Sequence, residues 1–568
     1  MNLEHKDMNK RVSMFTCFRF YLSTSKRLFL WLPASLFLLI FFFYPLTKIL
    51  NLTFEFTTLT DPNNLRITNH ALRFTFYQAT LSTILTFALG IPSAILFSKF
   101  DFRGKSLLRA LTAVPFMLPT VVVAVAFNSL LGSHGLFSFL FPLSSSPSPT
   151  FYFLLILLAH VFYNTTIVIR IIGNALSRLD PKLEASARVL GANTFNVWRK
   201  IIFPLLRPSL LASALLVFMF DFTSFGVILL LGGSNFATLE VEIYIRALQL
   251  PNLNLAAMLS VIQLFFTLIF SILYTRTINQ VNTQITPQFS LARPAKTFKE
   301  KIFVITLTIL LSSFFFLPLV SLPIRSLTRL EADRAQRDQI QYGFTTDYYE
   351  ELFINRRNSL FYVPPIQAAI NSLSYAGITV LFSLALGYPV AVALAKPTQL
   401  EKFLDALLLL PLGSSAVMLG LGFILSYGRL ISSPFFVPIA HTLIALPFVI
   451  RTLQPAIKTI PEKLRHAAST LGASPFRVWQ TIDFPILSRA TLSAATFAFT
   501  ISLGEFGATL LMYRPEYPTI PIAIQRFLSQ PGGLNYGQAM AMSTVLMILT
   551  TFSILLIEKL RLNNNGEF

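Results

Sequence analysis

The sequence predicts an all-α polytopic membrane protein, with about 12 transmembrane helices in two homologous six-helix halves. Three observations point there. Only 12% of the 568 residues are charged while 54% are hydrophobic, whereas a soluble domain carries roughly a quarter charged residues. Twelve apolar runs occur along the chain, each near the roughly 20 residues a helix needs to cross a bilayer core. The second half also repeats features of the first at a fixed offset of 281 residues. A mean hydropathy of +0.64 agrees, and a soluble enzyme is excluded on these grounds.

The first run, from Leu28 to about Leu50, follows Lys26 and Arg27. It is too long for a signal-peptide core, and no small-x-small cleavage site follows it. An anchored first span is expected. The other runs of the first half lie near 72–98, 107–131, 151–173, 208–232 and 255–275. Those of the second half lie near 302–324, 368–395, 403–427, 435–455, 488–512 and 537–558. Proline and glycine interrupt several, as in Gly90-Ile91-Pro92 and Gly387-Tyr388-Pro389. Membrane helices tolerate this where neighbours satisfy the freed backbone groups.

The expected layout is an N-terminal tail (1–27), a first half (28–275), a polar linker (276–301), a second half (302–558) and a C-terminal tail (559–568). Most of the 45 Lys and Arg residues lie inside if the N-terminus is inside, so both termini are expected in the cytoplasm. The net charge of +20 thus serves topology, and no nucleic-acid partner is expected. The external segment 325–367 is the exception, where Glu331, Asp333, Asp338, Asp347, Glu350 and Glu351 balance the basic residues. With Pro364-Pro365 it reads as a solvated cap or a docking surface for an external partner. The serine-proline stretch 144–149 reads as an external turn. The single cysteine, Cys17, leaves no intrachain disulfide or cysteine metal cluster.

The repeat is densest between the fourth and fifth spans. The first copy, in 178–205, runs from Leu183 through Glu184, Ala185, Gly191, Ala192, Phe195 and Trp198 to Phe203-Pro204. The second, in 459–486, runs from Leu464 through Arg465, Ala468, Gly472, Ala473, Phe476 and Trp479 to Phe484-Pro485. His160/His441, Arg170/Arg451 and Phe225-Gly226/Phe506-Gly507 share the offset. Each loop reads as an Ala-rich helix, a glycine bend, and a short helix with an aromatic pair at i,i+3 spacing. Exposed aromatics on a loop imply a soluble receiver.

This pattern resembles the EAA loop of binding-protein-dependent ABC importer permeases, the type I or MetI-like group. The resemblance covers about 72–558, twice over. It implies a type I importer fold, with coupling helices that seat in two copies of an ATPase subunit. It also implies an extracytoplasmic solute-binding protein and a bacterial inner-membrane, multi-pass location. The residues implied for ATPase coupling are Glu184, Ala185, Gly191, Ala192, Phe195, Trp198 and Pro204 in the first copy, and Arg465, Ala468, Gly472, Ala473, Phe476, Trp479 and Pro485 in the second. No P-loop pattern GxxxxGK[ST] occurs in the sequence, so ATP and Mg are expected on the separate ATPase, with no cofactor and no catalytic residue in this chain. One departure stands out: Arg465 and His466 replace the expected Glu-Ala, so the acid of the loop occurs only at Glu184.

The fifth spans carry Asp221 and Ser224 in one half, and Ser502 and Glu505 in the other. Ionisable residues inside a membrane are costly and suggest function. These four are the candidate translocation-path residues, with a structural hydrogen-bonding role for the acids as the alternative. Paired His160 and His441 read as packing residues rather than metal ligands, and Arg170 and Arg451 as snorkelling at span ends. The fused form resembles the iron(III) and thiamine branch of the family, while Ser502–Thr509 also looks like molybdate and sulfate permeases. Iron(III) is the first expectation for the small solute, thiamine the second and oxyanions the third. A gradient-driven secondary transporter is the rival class. A membrane enzyme would need a catalytic cluster at one depth, which the sequence does not show.

Overall fold

A computed structural model describes residues 24–54, 60–132, 135–137, 148–283, 292–329, 343–354, 364–395 and 397–562. Cys17, residues 144–147 and Glu331, Asp333 and Asp338 lie outside them. Among the described residues, nine helices are long and apolar enough to cross a membrane. They are Phe29–Thr53, Pro62–Lys99, Pro149–Ser177, Thr194–Phe222, Leu253–Ile278, Phe298–Ser326, Pro365–Ala393, Phe436–Thr459 and Phe476–Gly504. A tenth apolar run follows as the helix Gly533–Leu562.

The third run of each half is not a single crossing helix. In the first half, Lys105–Met117 and Thr120–Leu131 meet at a bend of 113°. Leu118 and Pro119 are extended there, because a proline pushes the residue before it out of the helical region. In the second half the run divides into Gln399–Leu408, Leu410–Gly413 and Ala416–Tyr427. Ser415 caps the last piece, its hydroxyl accepting from the Met418 amide at 2.9 Å.

The two halves interlock. The first span of the first half packs Trp31, Leu38 and Phe42 among Val390, Ala440 and Leu446 of the second half. Tyr427 donates its hydroxyl to the Ile40 carbonyl at 2.7 Å. The first span of the second half returns the exchange, with the Phe315 ring 5.4 Å from that of Phe162. Ser321 donates to the Ala126 carbonyl at 3.1 Å, and Arg325 donates to the Gly135 carbonyl. The largest buried cluster thus draws on residues of both halves.

Two small features complete the frame. After the second span, Phe100–Asp101 pairs in parallel with Arg293–Pro294 of the linker. The Arg293 guanidinium lies 5.7 Å from the centre of the Phe100 ring. In the 325–367 segment, the short helix Asp347–Glu350 is held by an Arg329–Asp347 ion pair of 2.5 Å. Tyr348 lies directly over Gly537 of the last span, where any Cβ would strike its ring.

Candidate functional site

The two duplicated loops fold alike. Helices Pro181–Val189 and Glu462–Thr470 both end on a left-handed glycine, Gly191 at φ +83° and Gly472 at φ +80°. The amides of Ala192 and Ala473 reach back to the carbonyls of Ala187 and Ala468, each at 3.0 Å. This is the helix-ending hydrogen-bond pattern that favours glycine at the left-handed position. Asn193 then caps the next turn through its side chain, as Ser474 does in the second copy. Pro204 and Pro485 stand in the first turns of Phe203–Phe222 and Phe484–Gly504. Each follows directly on a π-helical turn, Trp198–Ile202 or Trp479–Asp483, where the backbone hydrogen-bond ladder is already shifted.

The loops present apolar side chains to their surroundings. Phe195 and Phe476 are 68% and 69% exposed. Leu190 and Leu471 are more exposed still, at 86% and 88%. These leucines are missing from the sequence-derived set, although the Leu-Gly pair in both copies signals them. Ala185 is exposed, and Ala192, Ala468 and Ala473 are half-buried. The aromatic pairs differ between copies. Trp479 stacks on Phe476 at 5.9 Å, whereas Trp198 is half-buried under the Lys99 ammonium, 5.1 Å from its ring.

The loops are tied to the membrane helices by opposite charge arrangements. In the first copy Glu184 accepts from Lys99 at 3.2 Å, at the end of the second span, and from Arg188 at 2.8 Å. Burial pushes the Glu184 carboxyl up, but Lys99 and Arg188 together hold it below its usual value. In the second copy Arg465 occupies the acid's place and donates to Asp483 at 2.7 Å. Asp483 is buried at the foot of the fifth span. The second loop thus has an acid, moved from the loop helix to the span. Its signal is the Asp-Phe-Pro sequence, where the first copy has Ile202-Phe203-Pro204.

Beyond the loops, both fifth spans break at the repeated Phe-Gly. Phe203–Phe222 resumes as Gly226–Gly232, and Phe484–Gly504 resumes as Gly507–Met512. At the breaks Phe225 and Phe506 stack on each other, with centroids 5.6 Å apart and planes at 27°. The contact is reciprocal: a Cβ on Gly226 would lie 3.2 Å from Phe506, and one on Gly507 3.5 Å from Phe225. Such a Cβ would meet a neighbour of its own half sooner, Thr120 at 2.5 Å from Gly226 and Ala416 at 3.1 Å from Gly507.

The candidate path residues surround this contact. Asp221 and Glu505 are both buried, and each is bonded within its own half. Asp221 accepts from the Asn164 amide at 2.7 Å. Glu505 accepts from the backbone amides of Ala508 and Thr509 at 2.8 and 3.0 Å, capping the resumed helix. Ser224 and Ser502 each bond the repeat-related histidine of their half, at 2.8 and 2.7 Å. Arg451 pairs with Asp405 at 2.9 Å.

Residues 86–281 match the family model described as the binding-protein-dependent transport system inner membrane component. The chain is similar to the thiamine transport system permease protein ThiP of Brucella abortus (strain 2308), 27% identical over 493 residues, covering 84% of this chain and 85% of that one. It is also similar to ThiP of Escherichia coli (strain K12), 26% identical over 503 residues, with 86% and 89% covered. A probable ABC transporter permease of Sinorhizobium fredii is 23% identical over 516 residues, with 88% of each chain covered. Together with the duplicated loops and the helical architecture, these matches support a multi-pass membrane permease of the binding-protein-dependent ABC importer type, with two halves fused in one polypeptide.

Proposed function

We propose that this chain forms the membrane path of a thiamine importer. The observation that carries the substrate is that relatives named as thiamine permeases align with it through both halves, over 84% of the chain or more. Thiamine takes the place of iron(III) as first choice. The case for iron drew on the fused form and on the two acids as charge for a cation, but the relatives described above are not named for iron, and Glu505 accepts from backbone amides while one Asp221 oxygen accepts from Asn164. Oxyanions stand behind thiamine for want of a relative so named among those described above.

Two copies of an ABC ATPase, which hold the ATP and Mg, dock on the loops through Leu190, Phe195, Leu471 and Phe476. Both termini face the cytoplasm with them. A solute-binding protein delivers thiamine on the opposite face. ATP-driven closure of the ATPases displaces the loops, and each fifth span carries that displacement to the Phe225–Phe506 contact. Stacked rings close the path where the halves meet; parting them opens it. The coupling free energy comes from ATPase and binding protein preferring different states of the permease.

The test is uptake into proteoliposomes holding the permease with its ATPase, driven by internal ATP and supplied with the loaded binding protein. Labelled thiamine should accumulate, and unlabelled iron(III), molybdate or sulfate should not compete. ATP-dependent uptake of iron(III) or an oxyanion in place of thiamine overturns the substrate.

A further inference from the structure

The two halves share a buried histidine position, His160 and His441, and two positions on the fifth span, Asp221/Ser502 and Ser224/Glu505. In each half these hold one histidine, one acid and one serine. The acid and the serine have exchanged places: the first half has Asp then Ser, the second Ser then Glu.

Geometry brings each trio together despite the exchange. His160 places Nε2 at 2.8 Å from Ser224 Oγ, and Nδ1 at 3.7 Å from Asp221 Oδ1. His441 places Nδ1 at 2.7 Å from Ser502 Oγ, and Nε2 at 3.2 Å from Glu505 Oε2. The second span joins both trios from the same side. Ser82 Oγ lies 3.1 Å from His160 Nδ1, and Ser502 donates to Thr379 Oγ1 at 3.3 Å. Gln78, also on the second span, donates to the Asp221 main-chain carbonyl at 2.6 Å. Both histidines and both acids are buried, in a setting where an unmatched polar group is costly.

Position gives these bonds a mechanical meaning. The loop joins the fourth and fifth spans at one end. The trio joins them again about 26 Å away, from 17–18 helical residues at about 1.5 Å each. Directly past the trio the fifth span breaks and offers Phe225 or Phe506 to the contact between halves. A break without a fastening beside it is a free hinge, and would absorb any displacement arriving from the loop.

We infer that the two trios, His160–Asp221–Ser224 and His441–Ser502–Glu505, are polar clamps that make the second, fourth and fifth spans of each half one stiff lever, so that movement of a loop reaches the Phe225–Phe506 contact. They are positioning residues. The exchange implies that each half needs the set rather than its order. The inference rests on the permease reading, in which ATPases move the loops.

The experiment uses the full chain assembled with its ATPase, Cys17→Ser, and thiols introduced as Phe225→Cys and Phe506→Cys. A bifunctional thiol cross-linker reads the contact with ADP and with trapped ATP, and needs no substrate. Three chains are compared: intact clamps; an exchanged first clamp, Asp221→Ser with Ser224→Glu; and clamps removed, Asp221→Ala/Ser224→Ala with Ser502→Ala/Glu505→Ala. Co-purified ATPase and its basal hydrolysis report that each chain is folded. The intact and exchanged chains should change cross-linking with nucleotide to the same extent. The clampless chain should keep its ATPase but lose the nucleotide response by about tenfold, within the 5–150-fold span usual for coupling between sites. A clampless chain that still responds overturns the clamp, as does an exchanged chain that fails to respond while holding its ATPase. An intact chain that captures no ATPase overturns the permease reading, and the clamp with it.

Discussion

Gly191 and Gly472 adopt left-handed φ angles with nothing within 4 Å of where a Cβ would stand. Substitution there meets no neighbour, so its cost is the backbone's own, roughly 1–2 kcal/mol for an ordinary residue and more for a β-branched one. The Gly191→Val, Gly472→Val double variant should therefore insert in the membrane at normal levels while its loops lose their bend. Co-purification of the ATPase should fall sharply, and normal transport would contradict the docking role. Glu184 makes a different prediction. Burial raises its carboxyl, but Lys99 and Arg188 draw it below its ordinary value of 4.5. A depressed acid stabilises the folded form fully above its ordinary pKa and loses that contribution as pH falls through the lowered one. Hydrogen exchange in 181–192 should thus be flat from pH 7 to about 4.5 and rise below that, once intrinsic exchange is corrected for. Glu184→Gln should abolish the rise.

At the scale of elements, the second loop depends on one ion pair. Removing Arg465 takes one charged hydrogen bond from the buried Asp483, at roughly 1.5–3 kcal/mol. Arg465→Ala and Asp483→Ala should each lower the detergent melting temperature. The exchange Arg465→Asp with Asp483→Arg should recover part of the loss, which a double-mutant cycle measures. Much at this scale was legible in the sequence. The spans announce themselves by length and apolarity, and the glycine bends by a repeat of residues whose backbone freedom has one obvious use. Less legible was how the third runs fold. Hydropathy counts apolar residues but not direction, and only the extended Leu118-Pro119 turns 107–131 through its bend. The partner of Arg465 was equally hidden, because Asp483 lies outside the loop helix whose composition drew attention. Phe225 and Phe506 stood out as a repeat, but a repeat alone does not say that its two copies touch.

For the whole molecule, exchanged first spans decide how independent the halves are. Trp31, Leu38 and Phe42 complete the apolar core of the second half, while Leu311, Phe315 and Leu322 join that of the first. Two polypeptides made by cutting within the linker 276–301 should therefore co-purify after co-expression. Deleting the first span from the first piece should leave the second piece poorly stable in detergent. Recovery of the second piece alone, monodisperse and with unchanged melting, would contradict this. The sequence could not show the exchange, because an apolar helix face looks the same whichever half covers it.

The exchange also has a consequence in time. Residues near Trp31 leave the ribosome first, yet the surface they cover includes Leu446, more than 400 residues later in the chain. At about 5–20 residues per second, synthesis takes roughly 20–80 s to close that gap. Through that interval the face of the earliest helix around Trp31 has lipid or a membrane chaperone for company, while its far end near Ile49 can already meet Ala257. The order of manufacture and the order of packing are thus opposed, and the fused chain must be held open until its far half arrives.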